Sequence, residues 1–538
     1  MQRFEKLSFI TLITAAFLTL PIVVIVFKIF SQDMSVWQHL YSSVLSDYII
    51  NTLLLMFGVG VGVIVLGVSS AWWTSSFEFP GRKIVSLMLL LPMAMPAYII
   101  AYTYTGLLDF AGPVQSFVRA TFDWSYGDYW FFEIRSLTGA MLMLSFVLYP
   151  YVYLMSRAAF LSQSRNLVDV SRSLGVSPVK SFFKVTLPMA RPAIIAGLSL
   201  VLMETLADYG TVEYFGVSTF TTGIFRTYYG LGSIAGAAQL ATSLLAFVLL
   251  LVMLEKFSRR KIRYFSHTEN KIKPKRVQLK GALKWIVLAW CLVPASVGFI
   301  IPALVLAYWS VKSTVLLTPE FFVLIWNSFS LAFIAAFVAV ILALLLAYAA
   351  RKSSSKWVSG AVQVTSLGYA MPGTIVAIGV VIAFNGFDDQ LLTFIERYTD
   401  AEFELFLSGT LVAVIFAYTV RFLAVSLGSI QSGLQSIKPS IDQSAQLLGL
   451  TPAKIIRKVH VPLLKGSVLT AFLIVFVDVL KELPATLILR PFNFNTLAVR
   501  AYEFASDERL IDVGPASLTI VLVGLIPVIL LNRSIIKN

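Results

Sequence analysis

Four carboxylates lie within long apolar stretches, where a charge is costly and is usually functional. Glu204 and Asp208 are four residues apart, as are Asp478 and Glu482. The second pair repeats the first at an offset of 274 residues. On a continuous helix, residues four apart share one face. At 1.5 Å per residue, Glu204 falls about 22 Å along a helix beginning at Met189. A carboxylate facing lipid costs roughly 3 kcal/mol, so all four are expected to face the protein interior or water. Their oxygens are hard ligands, suited to a hard cation. This makes Glu204, Asp208, Asp478 and Glu482 the candidate lining of a translocation pathway. Two other roles fit the same residues: pairing with a base such as Lys481, or lining a wetted outer vestibule. His39, His267 and His460 are dispersed, and no metal site is assigned.

The elements that carry these acids are predicted to be membrane helices. Of 538 residues, 58% are apolar and 13% are charged, against about 25% charged in a soluble domain. That excludes a disordered chain, a disulfide-rich secreted domain and an ordinary cytosolic enzyme. A span needs about 20 apolar residues. Nine stretches have no Asp, Glu, Lys or Arg: 7–27, 48–77, 84–108, 136–156, 227–254, 285–311, 321–350, 357–387 and 513–532. Three more, 189–210, 405–427 and 466–489, are long and apolar but carry charges. The expectation is an all-α polytopic membrane protein of about 12 helices. The run at 7–27 is too long for a signal-peptide core and reads as an uncleaved first helix.

A net charge of +14 in a soluble protein would point to nucleic acid. Here the bases flank the apolar runs, so they report topology and no nucleic-acid partner is expected. Residues 256–284 carry eleven Lys and Arg against Glu269, and 157–191 carry six against Asp169. Residues 388–404 carry six acids against Arg397. The basic loops are therefore expected in the cytoplasm, with both termini, and the acidic loop outside. The expected location is a cell inner (plasma) membrane.

The chain is a tandem repeat. Asn51 matches Asn327, and Met95-Pro96 matches Met371-Pro372, at an offset of 276. Gly175 matches Gly449, Pro188 matches Pro462 and Arg226 matches Arg500, at 274. Residues 1–256 and 284–538 are expected to be two six-helix halves, joined by a basic cytoplasmic linker at 257–283. A parallel repeat of this kind occurs in some transporter folds, with a pathway between the halves.

Two loops recur with strict spacing. Asp169 to Gly175 is followed by Ser177-Pro178 and Leu187-Pro188. Gln443 to Gly449 is followed by Thr451-Pro452 and Val461-Pro462. Each reads as helix, glycine stop at positive φ, Ser/Thr cap with Pro at the first helical position, and second helix. Such an element, present twice on the cytoplasmic side, offers two stiff knobs to a cytosolic partner.

This spacing resembles the EAA loop of permease subunits of binding-protein-dependent ABC importers, and the resemblance covers nearly the whole chain. Residues 91–98 (LPMAMPAY), 203–216 (METLADYGTVEYFG) and 481–487 (KELPATL) are similar to the fused ferric-iron permeases. The resemblance implies ATPase docking through Asp169, Gly175, Leu187 and Pro188, and through Gln443, Gly449, Val461 and Pro462. It implies two ATP-binding cassette subunits, one per half, and an external (periplasmic) solute-binding protein that delivers Fe(III). The leading Glu of the pattern is Asp169 in one copy and Gln443 in the other, and Val461 replaces Leu in the second, so the second loop is expected to dock differently.

No Gly-Lys dipeptide occurs, so the chain has no Walker A loop. It is not expected to be an enzyme or to bind a cofactor, and ATP and Mg²⁺ belong on the partner. Thiamine, polyamine, phosphonate and sulfate are the competing substrates, and an ion-driven secondary transporter is the competing class. Elsewhere, Arg421 is expected to snorkel to the cytoplasmic surface. Gly58 and Gly62 are expected to serve helix packing, as is Cys291.

Overall fold

The computed structural model describes residues 2–28, 35–125, 127–162, 177–259, 276–353, 355–398 and 405–537. Among them, ten helices are long and apolar enough to cross a membrane, and two bent pairs bring the number to as many as 12. The only sheet among the described residues is a two-residue parallel pairing, Phe77 with Val277 and Glu78 with Gln278. The fold is that of a two-copy polytopic helical membrane protein.

Two compact units are present, and neither is a sequence half. One comprises Met1–Leu45, Phe220–Leu245 and Ser313–Pro527; the other comprises Ser46–Thr219, Ala246–Lys312 and Val528–Asn538. In the first unit, the Gln2–Lys28 helix of the first copy packs on the Lys356–Thr365 and Gly373–Glu396 helices of the second. A Cβ on Gly379 would lie 2.5 Å from the Pro21 carbonyl oxygen, so only glycine permits this approach. In the other unit, the Leu283–Lys312 span of the second copy packs on first-copy helices. There Tyr104 donates to the Val297 carbonyl at 2.9 Å. Each copy thus lends its opening helix to the packing of the other.

The repeat is visible in the breaks as well as in the spans. Leu91–Ala94 and Ser366–Ala370 are 3₁₀ turns that end in extended residues, Met95-Pro96 and Met371-Pro372, before a new helix begins. Proline has no N–H and clashes with the preceding turn, so it starts each second segment. The run 84–108 is bent by 96° at this point. The repeated asparagines have matched work within their own units. Asn51 donates to the Ser218 carbonyl at 3.0 Å and Asn327 to the Asn495 carbonyl at 3.3 Å.

Candidate functional site

The four acids do not form two continuous helix faces. The Leu187–Ala207 helix stops before Asp208, and the Lys465–Leu480 helix stops before Glu482. The expected four-residue face is therefore broken in both copies, because the second acid of each pair caps the helix that follows. Asp208 accepts from the backbone N–H of Thr211 and Val212, both at 3.1 Å, and from the Thr211 hydroxyl at 2.9 Å. Glu482 accepts from the N–H of Ala485 at 3.0 Å, from that of Thr486 at 3.1 Å and from the Thr486 hydroxyl at 2.8 Å. These bonds satisfy orphan donors at the starts of Gly210–Tyr214 and Pro484–Leu489. The legible signal was an acid followed two residues later by Gly210 or Pro484 and then by Thr211 or Thr486.

Glu482 is 4% exposed and forms a 2.7 Å ion pair with Arg421. Arg421 was expected to snorkel; instead its side chain is 12% exposed and is held inward by that carboxylate. Tyr418 shares a 2.5 Å contact with the Thr486 hydroxyl and extends the network. A Cβ on Gly373 would lie 2.5 Å from both Arg421 Nη1 and Glu482 Oε1, so the glycine after Met371-Pro372 makes room for the pair. Asp478 pairs with Lys481 at 2.8 Å, one of the two alternatives its sequence position left open. Glu204 and Asp208 are half-buried.

Farther along the second copy, Arg490 and Arg500 both bond Glu503, at 3.0 and 2.9 Å. This network was not anticipated, because Glu503 matches Tyr229 in the first copy. Tyr229 itself donates to the Leu487 carbonyl at 2.7 Å.

The second repeated loop is fully visible. Helix Pro439–Leu447 ends at Gly449, whose φ of 76° is the left-handed stop expected there. Thr451 then caps the next helix: its carbonyl accepts from Ile455 at 2.9 Å and its hydroxyl from Lys454 N–H at 3.4 Å. A π-turn, Ile456–His460, leads into Val461-Pro462. The first copy has the same π-turn, Phe182–Thr186, leading into Leu187-Pro188. The wider turn accommodates the proline that cannot donate to the preceding turn. Asp169 and Gly175 lie outside the described residues.

Asp442, adjacent to Gln443, anchors the loop. It is 1% exposed and takes Arg351 Nε at 2.9 Å and His460 Nε2 at 2.6 Å, with Lys352 Nζ at 3.9 Å. Arg351 also donates to the Leu434 and Ile437 carbonyls, which close the end of the Leu411–Gln435 helix. Ala445 and Ile455 are buried against Tyr348. Gln443 points outward, and Leu447 and Leu448 are 90% and 81% exposed. The loop is thus clamped to the end of Pro319–Lys352 and presents an apolar tip. Sequence spacing located the loop but missed Asp442, Arg351 and the clamping role of His460.

The packing residues behave as expected. A Cβ on Gly58 or Gly62 would collide with Met141 or Ser145, and Cys291 is fully buried.

The helices and breaks described above recur in two copies along one membrane-spanning chain. The chain belongs to the family described as binding-protein-dependent transport system inner membrane component, which matches residues 63–264 and 339–536. It is therefore a multi-pass inner-membrane subunit of an ABC importer. It is 26% identical over 508 residues to the Fe(3+)-transport system permease protein FbpB 2 of Haemophilus influenzae, covering 93% of this chain and 92% of that protein. It is 22% identical over 458 residues to the ferric transport system permease protein FbpB of Actinobacillus pleuropneumoniae, covering 82% and 64%. It is 24% identical over 230 residues to the molybdenum transport system permease protein ModB of Escherichia coli, covering 42% of this chain and 93% of that protein.

Proposed function

We propose that this permease imports ferric iron, delivered by an external solute-binding protein and driven by ATP hydrolysis on two separate cassette subunits. The observation that carries the substrate is that a relative named for Fe(3+) transport aligns end to end, over 93% of this chain and 92% of its own length. The acids support the same choice. Carboxylates along a route favour a cation and oppose an oxyanion. Glu204, Asp208, Asp478 and Glu482 line the route in this reading, with Asp478 and Glu482 held in place by Lys481 and Arg421.

ATP and Mg²⁺ sit on the partner chains. One cassette subunit docks at residues 169–188, through Asp169, Gly175, Leu187 and Pro188. The other docks at 443–462, through Gln443, Gly449, Val461 and Pro462, with Leu447 and Leu448 at its centre. Both termini and the 257–283 linker are cytoplasmic, in keeping with their Lys and Arg.

The test is uptake of radioactive iron by cells that depend on this permease, measured together with membrane abundance for Glu204→Gln. Iron uptake falling several-fold at normal abundance supports the reading. Normal uptake at normal abundance removes Glu204 from the route, and wild-type transport of molybdate in place of iron overturns the substrate.

A further inference from the structure

A basic cluster lies where the interdomain linker meets the first copy, and the importer function makes no use of it. The short pairing of Phe77–Glu78 with Val277–Gln278, extended by Leu279 N–H donating to the Glu78 carbonyl at 3.1 Å, brings Arg276 beside Glu78 and Arg82. Arg82 is 7% exposed; its Nε reaches both Glu78 oxygens at 3.0 and 3.1 Å, and its Nη1 reaches the Thr74 carbonyl at 3.3 Å. The third member, Arg157, lies with its guanidinium carbon 5.9 Å from the Tyr153 ring centre. The Tyr153 hydroxyl contacts Thr74 and Ser86, each at 3.4 Å, on the same ground as Arg82. Burial holds the Arg276 guanidinium below its ordinary range, and Arg82 and Arg157 add to this against the opposing pull of Glu78.

Charge in this cluster is not balanced among the described residues. Among them, three guanidiniums share one carboxylate, and both oxygens of that carboxylate are taken by Arg82. The Nε atoms of Arg157 and Arg276 are buried and have no hydrogen-bond partner among the described residues. A buried N–H of a charged group without an acceptor is expensive. Guanidinium pairs match the geometry of phosphoryl oxygens and are weakly enough hydrated to be used this way.

The neighbouring side chains set the level of the cluster. Trp72 and Trp73 pack on each other and on Phe77, with ring centres 4.6 to 5.2 Å apart. Trp290 donates to Ser69 at 2.9 Å, and Lys284 lies 5.4 Å from the Trp285 ring centre. Tryptophans gather at headgroup depth, where their rings are in apolar matter and their N–H groups meet water. Basic pockets at this depth on the Lys- and Arg-rich side of a membrane take phosphorylated headgroups.

We propose that Arg157 and Arg276, supported by Arg82, form a binding site for a phosphoryl oxyanion at the linker end of this unit. An anionic phospholipid headgroup and free phosphate share that chemistry. Binding ties the linker, through Arg276, to the helices that carry Arg82 and Arg157.

The experiment follows thermal unfolding of the purified full-length permease in neutral detergent. Short-chain phosphatidylglycerol, the matching diacylglycerol and inorganic phosphate are titrated separately. Wild type should be stabilised saturably by phosphatidylglycerol and not by diacylglycerol. The Arg157→Gln/Arg276→Gln variant should bind it roughly thirtyfold more weakly, and Arg157→Lys/Arg276→Lys, which keeps the charges but loses the guanidinium forks, should fall between the two. Inorganic phosphate that matches phosphatidylglycerol would uphold the site and assign it to a soluble anion. Equal stabilisation by diacylglycerol, or equal binding by wild type and the Gln variant, would overturn the proposal. If the Gln variant does not fold, the Lys variant decides with native mass spectrometry: retained phosphatidylglycerol on it and on wild type supports the site, and none on either refutes it.

Discussion

Arg421 and Glu482 stand 61 residues apart in sequence and 2.7 Å apart in space, and their contact pins a broken span to the helix beside it. A buried pair contributes little against a well-packed apolar substitute, but breaking one side strands a charge at a cost of about 3–5 kcal/mol. Arg421→Met should therefore lower the unfolding temperature sharply. Adding Glu482→Gln should recover part of the loss, because the stranded carboxylate is gone and the amide oxygen still accepts from Ala485. A double-mutant cycle on purified protein reads the coupling, and strictly additive losses would contradict the pair's role.

Gly373 gives a second handle on the same network. Its missing Cβ leaves the space that Arg421 Nη1 and Glu482 Oε1 occupy. Gly373→Ala should cost about 1–3 kcal/mol by overpacking. Gly386→Ala, in the same helix with nothing within 4 Å of its Cβ, should be neutral or slightly stabilising. Equal melting temperatures for the two variants would show that the space is not needed.

Sequence made much of this legible, and packing hid the rest. The Gly449 stop and the Thr451 cap depend on local backbone chemistry, so spacing alone revealed them. The Arg421–Glu482 pair and the Arg351–Asp442–His460 clamp each join residues from different helices, and nothing local to His460 announces its partner 18 residues away. The four-residue face expected for Glu204 and Asp208 failed for a local reason. Asp208 competes for the N–H groups of Thr211 and Val212 and ends the helix that it was expected to continue. The exchange of opening helices between copies had no sequence signal, because an apolar helix fits either half by composition.

The second loop should separate docking from folding. Leu447 and Leu448 are almost wholly exposed, so Leu447→Ser/Leu448→Ser should leave membrane abundance unchanged and reduce capture of the cassette subunit several-fold. Asp442→Asn leaves Arg351 without its charge partner and should lower both capture and stability. Pull-down of the cassette subunit alongside quantified permease reads the difference. Full capture by the Ser variant would remove the apolar tip from the docking surface.

Orientation is open to direct labelling. In a Cys291→Ser background, Gln278→Cys should be shielded from an impermeant thiol reagent in intact cells and Tyr398→Cys should react. Tyr398 is 71% exposed and borders the acidic loop, so its reaction is not limited by burial. The reversed pattern would place both docking loops on the wrong side.

The most direct measurement is ATP hydrolysis by the complex of this chain with its cassette subunits, reconstituted in lipid and exposed to its solute-binding protein. The account predicts several-fold stimulation by the iron-loaded binding protein, little by the empty one, and loss of that stimulation when Leu447 and Leu448 are replaced by Ser. Hydrolysis indifferent to the binding protein would contradict the importer mechanism, and stimulation by a molybdate-loaded protein with none by iron would contradict the substrate.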